Sequence, residues 1–257
     1  MATGEIVAFV DGDCTVDQDW LRYLTSDYTE EEIAGVGGLV CTRDTGIIAQ
    51  YRSFKTAYVD QTHTCPGVIA SSDLPAGNSS YRTNVLSAIG GFDPAFGKPK
   101  GHEEFELGHR LMAERYRLVL DTRAVVWHGE EGSLARWITG WYGMGYSAIS
   151  FLVRYRMRDL RVIQLKQIAF VTFLVLCVLT FAGIIPMLVV GAVTGVALIA
   201  ESVRAAYYVW RAARHYGNPK YLLMFPVEII LRFALYIGFI VGLLATIRKA
   251  AIRLTRR

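Results

Sequence analysis

The feature that most constrains this chain is a run of 33 residues, Ile168 to Ala200, that contains no charged side chain. A membrane-spanning helix needs about 20 predominantly apolar residues, so this run is long for one span and short for two. Gly183 and Pro186 lie near its middle, and both residue types favour turns. We therefore predict a tight hairpin of two short membrane helices in this part of the chain.

A third apolar segment extends from Tyr221 to Ile247. It carries Glu228 and Arg232, whose spacing of four residues lets the two charges neutralise one another on one face of a helix. Basic residues flank both ends of the segment, so charge asymmetry does not choose between a membrane span and an interfacial helix. Residues 164–257 are accordingly predicted to form a transmembrane region with two to three helices.

The charged residues divide the rest of the chain. Of the 23 Asp and Glu residues, 20 lie before position 132, which predicts a water-exposed domain over residues 1–132. Residues 133–163 then combine Trp and Tyr with a series of arginines, as expected of amphipathic helices at a membrane interface. Because the basic residues lie beside apolar runs and the net charge is only +4, we expect contact with membrane lipid and no binding of nucleic acid.

The four cysteines, Cys14, Cys41, Cys65 and Cys177, form no Cys-x-x-Cys pair. Neither a zinc site nor a disulfide framework is predicted from their spacing. A reducing environment for the first region fits this pattern. No basic flank followed by an apolar stretch opens the chain, so no signal peptide is predicted.

Two carboxylates follow the first apolar run of the chain. Glu5 to Val10 has the composition of a buried strand, and Asp11 and Asp13 come directly after it. Open α/β sheets bind their ligands beyond the carboxyl ends of strands, and carboxylate oxygens are ligands that Mg²⁺ prefers. The pattern favours a metal site, although a solvated turn has the same residues.

Further elements are predicted from hydrophobic periodicity. We expect helices over Asp17–Leu24, Asp44–Asp60 and Glu103–Arg115, a short helix through Leu86 and Ile89, a strand over Ile33–Val40, and two short strands over Leu118–Asp121 and Ala124–Trp127. The helix at Glu103 has three carboxylates in its first turn, where the helix dipole stabilises negative charge. An acidic first turn of this kind also occurs without any catalytic role.

Two other kinds of site begin with similar residues. Asp11 to Thr15 after an apolar strand also fits the nucleophile motif of haloacid-dehalogenase-like phosphatases, in which Lys98 or Lys100 and Glu103-Glu104 would complete the site. This alternative stays open, although a helix pattern follows the paired acids and no strand precedes them. An EF-hand loop is excluded, because Val16 occupies its Gly position and Arg22 its Glu position.

Five motifs in order resemble the family 2 glycosyltransferases of the GT-A fold. They are Gly4 to Asp13, Trp20-Leu21, Gly77 to Arg82, Gly90-Gly91-Phe92-Asp93 and Glu103 to Leu107. The resemblance covers roughly residues 3–150 and implies a partial GT-A, Rossmann-like nucleotide-sugar domain of α/β class, followed by an α-helical membrane region.

The resemblance also implies roles for single residues. Asp11 and Asp13 match the family's motif for metal and diphosphate, with Mg²⁺ or Mn²⁺ as the cofactor. His128, after Ala124 to Trp127, matches a histidine that closes the site on the metal. Glu104 stands where the family has its general base, which in an inverting transfer removes the proton of the acceptor hydroxyl.

The remaining residues implied by the resemblance contact substrate. Gly77, Asn78, Ser79, Arg82 and Glu103, with Asp11, are expected to line the donor and acceptor pocket. Arg136 and Trp137 are similar to the end of a Gln-x-x-Arg-Trp motif of processive synthases, with Ser133 where that motif has Gln. This departure favours transfer of a single sugar over processive synthesis.

The expected activity is a metal-dependent hexosyl transfer by a multi-pass protein of the plasma membrane with its catalytic domain in the cytoplasm. The donor would be a UDP- or GDP-linked sugar, and the acceptor a lipid-linked or cell-envelope glycan, as in polysaccharide biosynthesis. Members of this family have a base-binding part before Asp-x-Asp that is absent here, so we expect a chain shortened at its N-terminus. An inactive, truncated membrane protein is therefore an alternative.

Overall fold

A computed structural model of the 257-residue chain describes residues 3–56, 68–71, 73–96, 103–129, 133–155, 183 and 187–255. The chain divides into two compact units, Met1–Ser133 and Leu134–Arg257.

The first unit contains strands and short helices. In chain order these are β1 (Ile6–Val10), β2 (Cys14–Val16), α1 (Trp20–Ser26), β3 (Ile33–Thr42), α2 (Ile47–Phe54), β4 (Val68–Ser71), β5 (Asn78–Arg82), α3 (Thr83–Ala88), α4 (Glu103–Ala113) and β6 (Arg117–His128).

The strands form one mixed sheet in the order β1-β5-β3-β6-β2, and β4 pairs with β6 beside this path. β3 and β6 run parallel, whereas β5 is antiparallel to both β1 and β3. β2 is antiparallel to β6 and places Cys14 opposite His128. The carboxyl ends of β3 and β6 therefore lie at the same edge of the sheet, together with the start of β2.

Two apolar clusters hold the helices against this sheet. Trp20 and Leu24 of α1 pack with Val36 and Val126, and Leu107 and Leu111 of α4 pack in a separate cluster with other buried residues of the sheet, among them Tyr81 and Leu118. These are the apolar faces of the two amphipathic helices that the periodicity predicts. Their burial supplies the hydrophobic stabilisation that fixes both helices on the sheet.

The structure differs from the sequence prediction at three strands. Leu118–Asp121 and Ala124–Trp127 belong to one continuous strand, β6. Its register with β3 shifts at two points, but the strand is not interrupted there. Asn78–Arg82, to which the sequence analysis assigns no strand, is a buried strand, because β1 and β3 pair with it on its two sides. β2 has only three residues, too few to produce a periodic pattern.

The second unit is helical. It contains α5 (Leu134–Arg154), α6 (Met187–His215), a 3₁₀ helix (Pro219–Met224) and α7 (Phe225–Thr255). Residues 156–182 and 184–186 lie outside the described residues, so the predicted hairpin within Ile168–Ala200 is described only in its last part, 187–200, which belongs to α6. Within the described residues, the 31-residue helical segment Pro219–Lys249, which comprises the 3₁₀ helix and most of α7, is long and apolar enough to cross a membrane.

Glycines bring α5 and α7 into backbone contact. A methyl group built on Gly145 of α5 would strike the carbonyl oxygen of Leu235, and one built on Gly238 of α7 would strike the carbonyl oxygen of Tyr142. Small residues of this kind let helix backbones approach closely, a packing mode common among membrane helices.

A network of charges joins α6 to α7. Arg232 donates hydrogen bonds to the carboxylate of Glu201 on α6 and, at 2.6 Å, to the carboxylate of Glu228 on α7. The side chains of Glu228 and Arg232 are 0% and 5% exposed. Glu201 also contacts Arg204 at 3.6 Å. The predicted neutralisation of Glu228 by Arg232 is therefore present, and Glu201 adds a second carboxylate to it.

Candidate active site

Four side chains that can bind a metal meet at the edge of the sheet where β1 and β6 end. They are Asp11, Asp13, Cys14 and His128, and one ligand atom from each lies within 4.8 Å of every other. The backbone N–H of Cys14 donates to the carbonyl of Asp11 at 3.1 Å, which closes a tight turn around the two aspartates. His128 Nε2 lies 3.5 Å from Asp13 Oδ1.

The donor set of this group fits a divalent cation. Carboxylate oxygens bind Mg²⁺ and Mn²⁺, and a neutral imidazole binds Mn²⁺ and other transition metals. The Asp13 side chain is 65% exposed, so the carboxylate can reach a ligand in solution. His128 Nδ1 is buried and has no hydrogen-bond partner among the described residues. Asp11, Asp13 and His128, the three residues predicted from the sequence to bind the metal, are therefore close together in space.

Gly77 lies against the carboxylate of Asp11. A methyl group at Gly77 would occupy the space of Asp11 Oδ2. This position in the turn before β5 therefore requires glycine if Asp11 is to keep its position. The register of β1 with β5 places Val10 opposite Asn78. The predicted substrate residue Gly77 thus shapes the position of the first aspartate.

Asn78 is fully buried and bonded to three other segments. Its Nδ2 group donates to the carbonyls of Leu39 and Ala124 at 2.8 and 2.9 Å. Its Oδ1 atom accepts a hydrogen bond from the indole of Trp20 at 2.7 Å. Asn78 therefore ties α1, β3 and β6 together beside the metal-binding group, and Ser79 next to it is also buried.

A cleft of about 380 Å³ adjoins Asp11. Its lining includes the carboxylates of Asp11, Asp93 and Glu103 and the aromatic rings of Phe9 and Phe92. One oxygen of Glu103, Oε2, is buried without a hydrogen-bond partner among the described residues. Acceptor groups beside aromatic rings suit a ligand that has both hydroxyl groups and apolar faces.

The environment of Glu104 raises the pKa of its carboxyl group. Burial, together with the charges of Glu103 and Asp73, raises the pKa of Glu104 to about 7, and hydrogen bonds from the backbone N–H groups of Glu104 and Ala76 oppose this rise. A carboxylate with a pKa near neutrality is suited to accept a proton at physiological pH. Perturbed pKa values of this kind are concentrated at functional sites.

Glu106 in the same helix has a different environment. It is fully buried and forms a bidentate ion pair with Arg110, with N–O distances of 2.8 and 2.7 Å. Arg110 also donates to the carbonyls of Ile89 and Gly91, each at 2.6 Å. Glu106 and Arg110 therefore hold α4 on the Gly90-Gly91 turn, where both glycines have positive φ.

Arg82 lies away from the aspartates. The register pairs it with Ile6, at the opposite end of β1 from Asp11. Its guanidinium donates to the carbonyls of Ile33, Tyr28 and Glu30. These bonds hold the chain between α1 and β3, and a contact with substrate stays a prediction.

Arg136 and Trp137 belong to the helical unit, at the start of α5. Trp137 is buried, and Arg136 is exposed. Their expected contacts with diphosphate and acceptor stay predictions. Lys98 and Lys100, which the phosphatase alternative needs, lie outside the described residues.

Sequence reasoning missed three residues near the predicted ones. Cys14 adjoins Asp13 and His128, Asp93 lines the cleft beside Glu103, and Asp73 acts on the pKa of Glu104. Asp93 was visible within the Gly-Gly-Phe-Asp motif. Asp73 carried no signal, because only tertiary contacts bring it near Glu104. Cys14 follows Asp13 in sequence, but only the pairing of β2 with β6 places it beside His128.

The chain is similar to the pre-mycofactocin glycosyltransferase of Mycobacterium tuberculosis, in strains CDC 1551 and H37Rv. Identity is 25% over 208 residues, which are 79% of this chain and 43% of the relative. The chain is homologous to a glycosyltransferase. It spans less than half the length of these curated relatives. No family model matches it.

The fold is similar to that of a mannosyltransferase, PcManGT from Pyrobaculum calidifontis, solved in complex with GDP-Man and Mn²⁺. The TM-score is 0.50 at 15% identity, covering 93% of this chain and 63% of that one. This match confirms the predicted fold class, a mixed α/β architecture of the GT-A type.

Proposed function

We propose that this chain is the part of a membrane-bound, inverting family 2 glycosyltransferase that holds the metal, the diphosphate and the acceptor. The observation that carries the proposal is the proximity of Asp11, Asp13 and His128 at a sheet edge, in a chain homologous to a glycosyltransferase. The donor would be a UDP- or GDP-linked hexose, in line with the GDP-Man and Mn²⁺ bound by the mannosyltransferase of similar fold.

The first step is binding of the donor diphosphate. Asp11, Asp13 and His128 would hold Mg²⁺ or Mn²⁺, and the metal would supply positive charge that offsets the negative charge of the departing nucleoside diphosphate. Gly77 keeps Asp11 in place, and Asn78 fixes the strands around it. Glu103, at the cleft, accepts hydrogen bonds from hydroxyl groups of the substrate.

The second step is deprotonation of the acceptor. Glu104 accepts the proton of the acceptor hydroxyl as its oxygen forms a bond to the anomeric carbon and the bond to the diphosphate breaks. A pKa of about 7 lets Glu104 be ionised before the step and keeps it basic enough to hold the proton afterwards. The aromatic side chains of Phe9 and Phe92 line the cleft beside Asp11 and Glu103 and offer apolar surface to the substrate.

The acceptor that fits best is a lipid-linked or cell-envelope glycan at the cytoplasmic face of the plasma membrane. The support is the candidate membrane span Pro219–Lys249 and the aromatic and basic residues that precede the apolar segments. Residues 1–132 would be the catalytic domain, 133–163 the interface region and 164–257 the membrane region. Arg136 would contact diphosphate and Trp137 an acceptor sugar, with Arg82 at the margin of the donor pocket.

The test separates binding from catalysis. The full chain in detergent is titrated with UDP and GDP in the presence of Mn²⁺, and transfer from matching nucleotide sugars is assayed with membrane-lipid extracts as acceptor. Asp13→Asn is expected to abolish metal-dependent nucleotide binding. Glu104→Gln is expected to retain binding but to lower transfer by about 10²–10⁴-fold, the usual contribution of a general base.

The matched control is Glu114→Gln, because Glu114 is an exposed carboxylate in the turn that directly follows the same helix. Its transfer rate should equal that of the wild-type chain. Failure of the wild-type chain to bind either nucleotide with any divalent metal would refute the proposal and favour the inactive membrane protein. Phosphate release from a simple ester, abolished by Asp11→Asn, would favour the phosphatase.

A further inference from the structure

The thiol of Cys14 belongs to the metal-binding group, although the proposed reaction does not need it. Cys14 opens β2, and its pairing with His128 places the thiol beside the imidazole. Its Sγ atom lies 3.9 Å from Asp13 Oδ1. The group is therefore two carboxylates, one imidazole and one thiol whose ligand atoms all lie within 4.8 Å of one another.

This combination of ligands discriminates between metals. Mg²⁺ and Mn²⁺ prefer oxygen ligands and gain little from sulfur, whereas Zn²⁺ binds sulfur, nitrogen and oxygen ligands well. Zn²⁺ in proteins takes about four ligands in a tetrahedron, and a site with four protein ligands leaves no position for a substrate. A catalytic metal must keep such a position open for the diphosphate oxygens.

The two described cysteines differ in this respect. Cys41 is buried in the sheet, and burial raises the pKa of its thiol to about 11, as expected of an inert core cysteine. Cys14 is only partly buried and faces three other ligand groups. Its position suits coordination, and Cys41 serves as an internal control.

We propose that Cys14 makes this site a thiophilic-metal switch, in which Zn²⁺ bound by Asp11, Asp13, Cys14 and His128 excludes the nucleotide diphosphate. The thiol proton passes to solvent when the sulfur coordinates the metal. The proposal rests on the proposed function in one respect, namely that the same site binds the donor through Mg²⁺ or Mn²⁺. It adds a regulatory cation and a ligand that the transfer reaction does not use.

The experiment uses Co²⁺ as a spectroscopic substitute for Zn²⁺. Co²⁺ is added to the full chain in detergent, and the near-ultraviolet charge-transfer absorption of a cobalt–thiolate bond is recorded. The wild-type chain is expected to show this band and to lose it on addition of Zn²⁺. Cys14→Ser, a nearly isosteric change, should abolish the band, whereas Cys41→Ala should retain it.

Zinc affinity gives a second measurement. Loss of an outer partner of a metal ligand typically lowers affinity about 10–100-fold, so loss of the thiolate ligand itself in Cys14→Ser should lower zinc affinity by roughly tenfold or more. In the wild-type chain, Zn²⁺ should also displace nucleotide bound in the presence of Mn²⁺. A wild-type chain without the cobalt band, or a Cys14→Ser variant that keeps it, would overturn the proposal.

Failure of this inference and failure of the proposed function give different results. If the wild-type chain binds UDP or GDP with Mn²⁺ but shows no cobalt–thiolate band, Cys14 is not a ligand and the glycosyltransferase proposal stands. If the band appears but neither nucleotide binds with any metal, Cys14 is a ligand at a site that does not serve sugar transfer, and the switch is refuted together with the proposed function.

Discussion

In the helical unit the buried carboxylate of Glu228 meets the guanidinium of Arg232, whereas in the sheet-containing unit Glu104 faces the carboxylates of Glu103 and Asp73. Ion pairing compensates the loss of hydration in the first case. In the second case burial, and after it the neighbouring negative charges, disfavour the charged form of Glu104 and raise its pKa. The two environments show that the neighbours of a buried carboxylate decide whether its charge is compensated, and the proton-acceptor role of Glu104 stays a proposal.

Removing the cation from the helical network should have the largest effect on stability. Arg232→Leu leaves Glu201 and Glu228 without their shared partner between α6 and α7. We expect the free energy of unfolding to fall by about 3–5 kcal/mol, the usual cost of an uncompensated buried charge. Denaturant unfolding of the full chain in detergent measures it.

Arg211→Leu is the control, because Arg211 on the same helix as Glu201 is not part of this network. A fall of similar size in this variant would show that the loss of any arginine destabilises the unit. The destabilisation of Arg232→Leu could then not be assigned to the loss of its ion pairs with Glu201 and Glu228.

Glu104→Gln should change stability in the opposite direction. Because burial raises the pKa of Glu104 from 4.5 to about 7, its protonated form is favoured by folding. The free energy of unfolding should therefore fall as pH rises from about 4.5 to about 7 and then level off. The glutamine variant lacks this titration and should be more stable than wild type at pH 8 by on the order of 3 kcal/mol.

Unfolding of both proteins at pH 5 and pH 8 checks this expectation. The two should differ little at pH 5 and most at pH 8. An equal difference at both pH values would mean that Glu104 does not titrate between them. The contrast that we draw between Glu104 and the charge-compensated Glu228 would then be wrong.

The glycine beside the first aspartate should affect binding more than stability. In Gly77→Ala the added methyl group displaces the Asp11 carboxylate, and misplacement of a functional group by about 1 Å can cost roughly 100-fold. We expect a loss of that size in metal-dependent nucleotide binding. Gly12→Ala is the control, since a methyl group there meets no atom within 4 Å, and an equal loss in both variants would argue against a specific role of Gly77.

Alanine substitutions at two glycines of α5 should change the free energy of unfolding in opposite directions and by the smallest amounts. Gly145→Ala places a methyl group against the backbone of α7 and should lower the free energy of unfolding by about 1–3 kcal/mol. Gly140→Ala meets no atom within 4 Å and should raise it by roughly 0.5–1 kcal/mol, because alanine favours a helix. Thermal unfolding of the two variants compares them, and a stabilising Gly145→Ala would show that α5 and α7 do not touch there.

Local pattern was enough to predict the elements that carry the candidate site. The apolar run before Asp11 and the amphipathic spacing of α4 gave β1 and the acidic helix with bounds close to those of the structure. The signal of α4 is strong because one face of the helix is buried, and burial imposes a period on the sequence. β1 is a half-buried strand at the end of the sheet order, and its signal is the apolar composition of the run.

Pairing between distant segments could not be predicted from local pattern. β5 has the polar sequence Asn-Ser-Ser-Tyr-Arg and is a strand because β1 and β3 pair with it on both sides. β2 is too short to show alternation, so the approach of Cys14 to His128 had no signal. The cysteine spacing predicts no zinc site from neighbours in sequence, and that expectation stays a prediction.

The hydrogen bonds of Asn78 have a thermodynamic consequence for ligand binding. One buried amide fixes carbonyls of β3 and β6 and the indole of α1 next to Asp11 and His128. The conformational entropy of these segments is therefore lost when the chain folds and not when a ligand arrives. A ligand at this edge of the sheet meets groups that are already ordered, and more of its interaction energy is expressed as affinity.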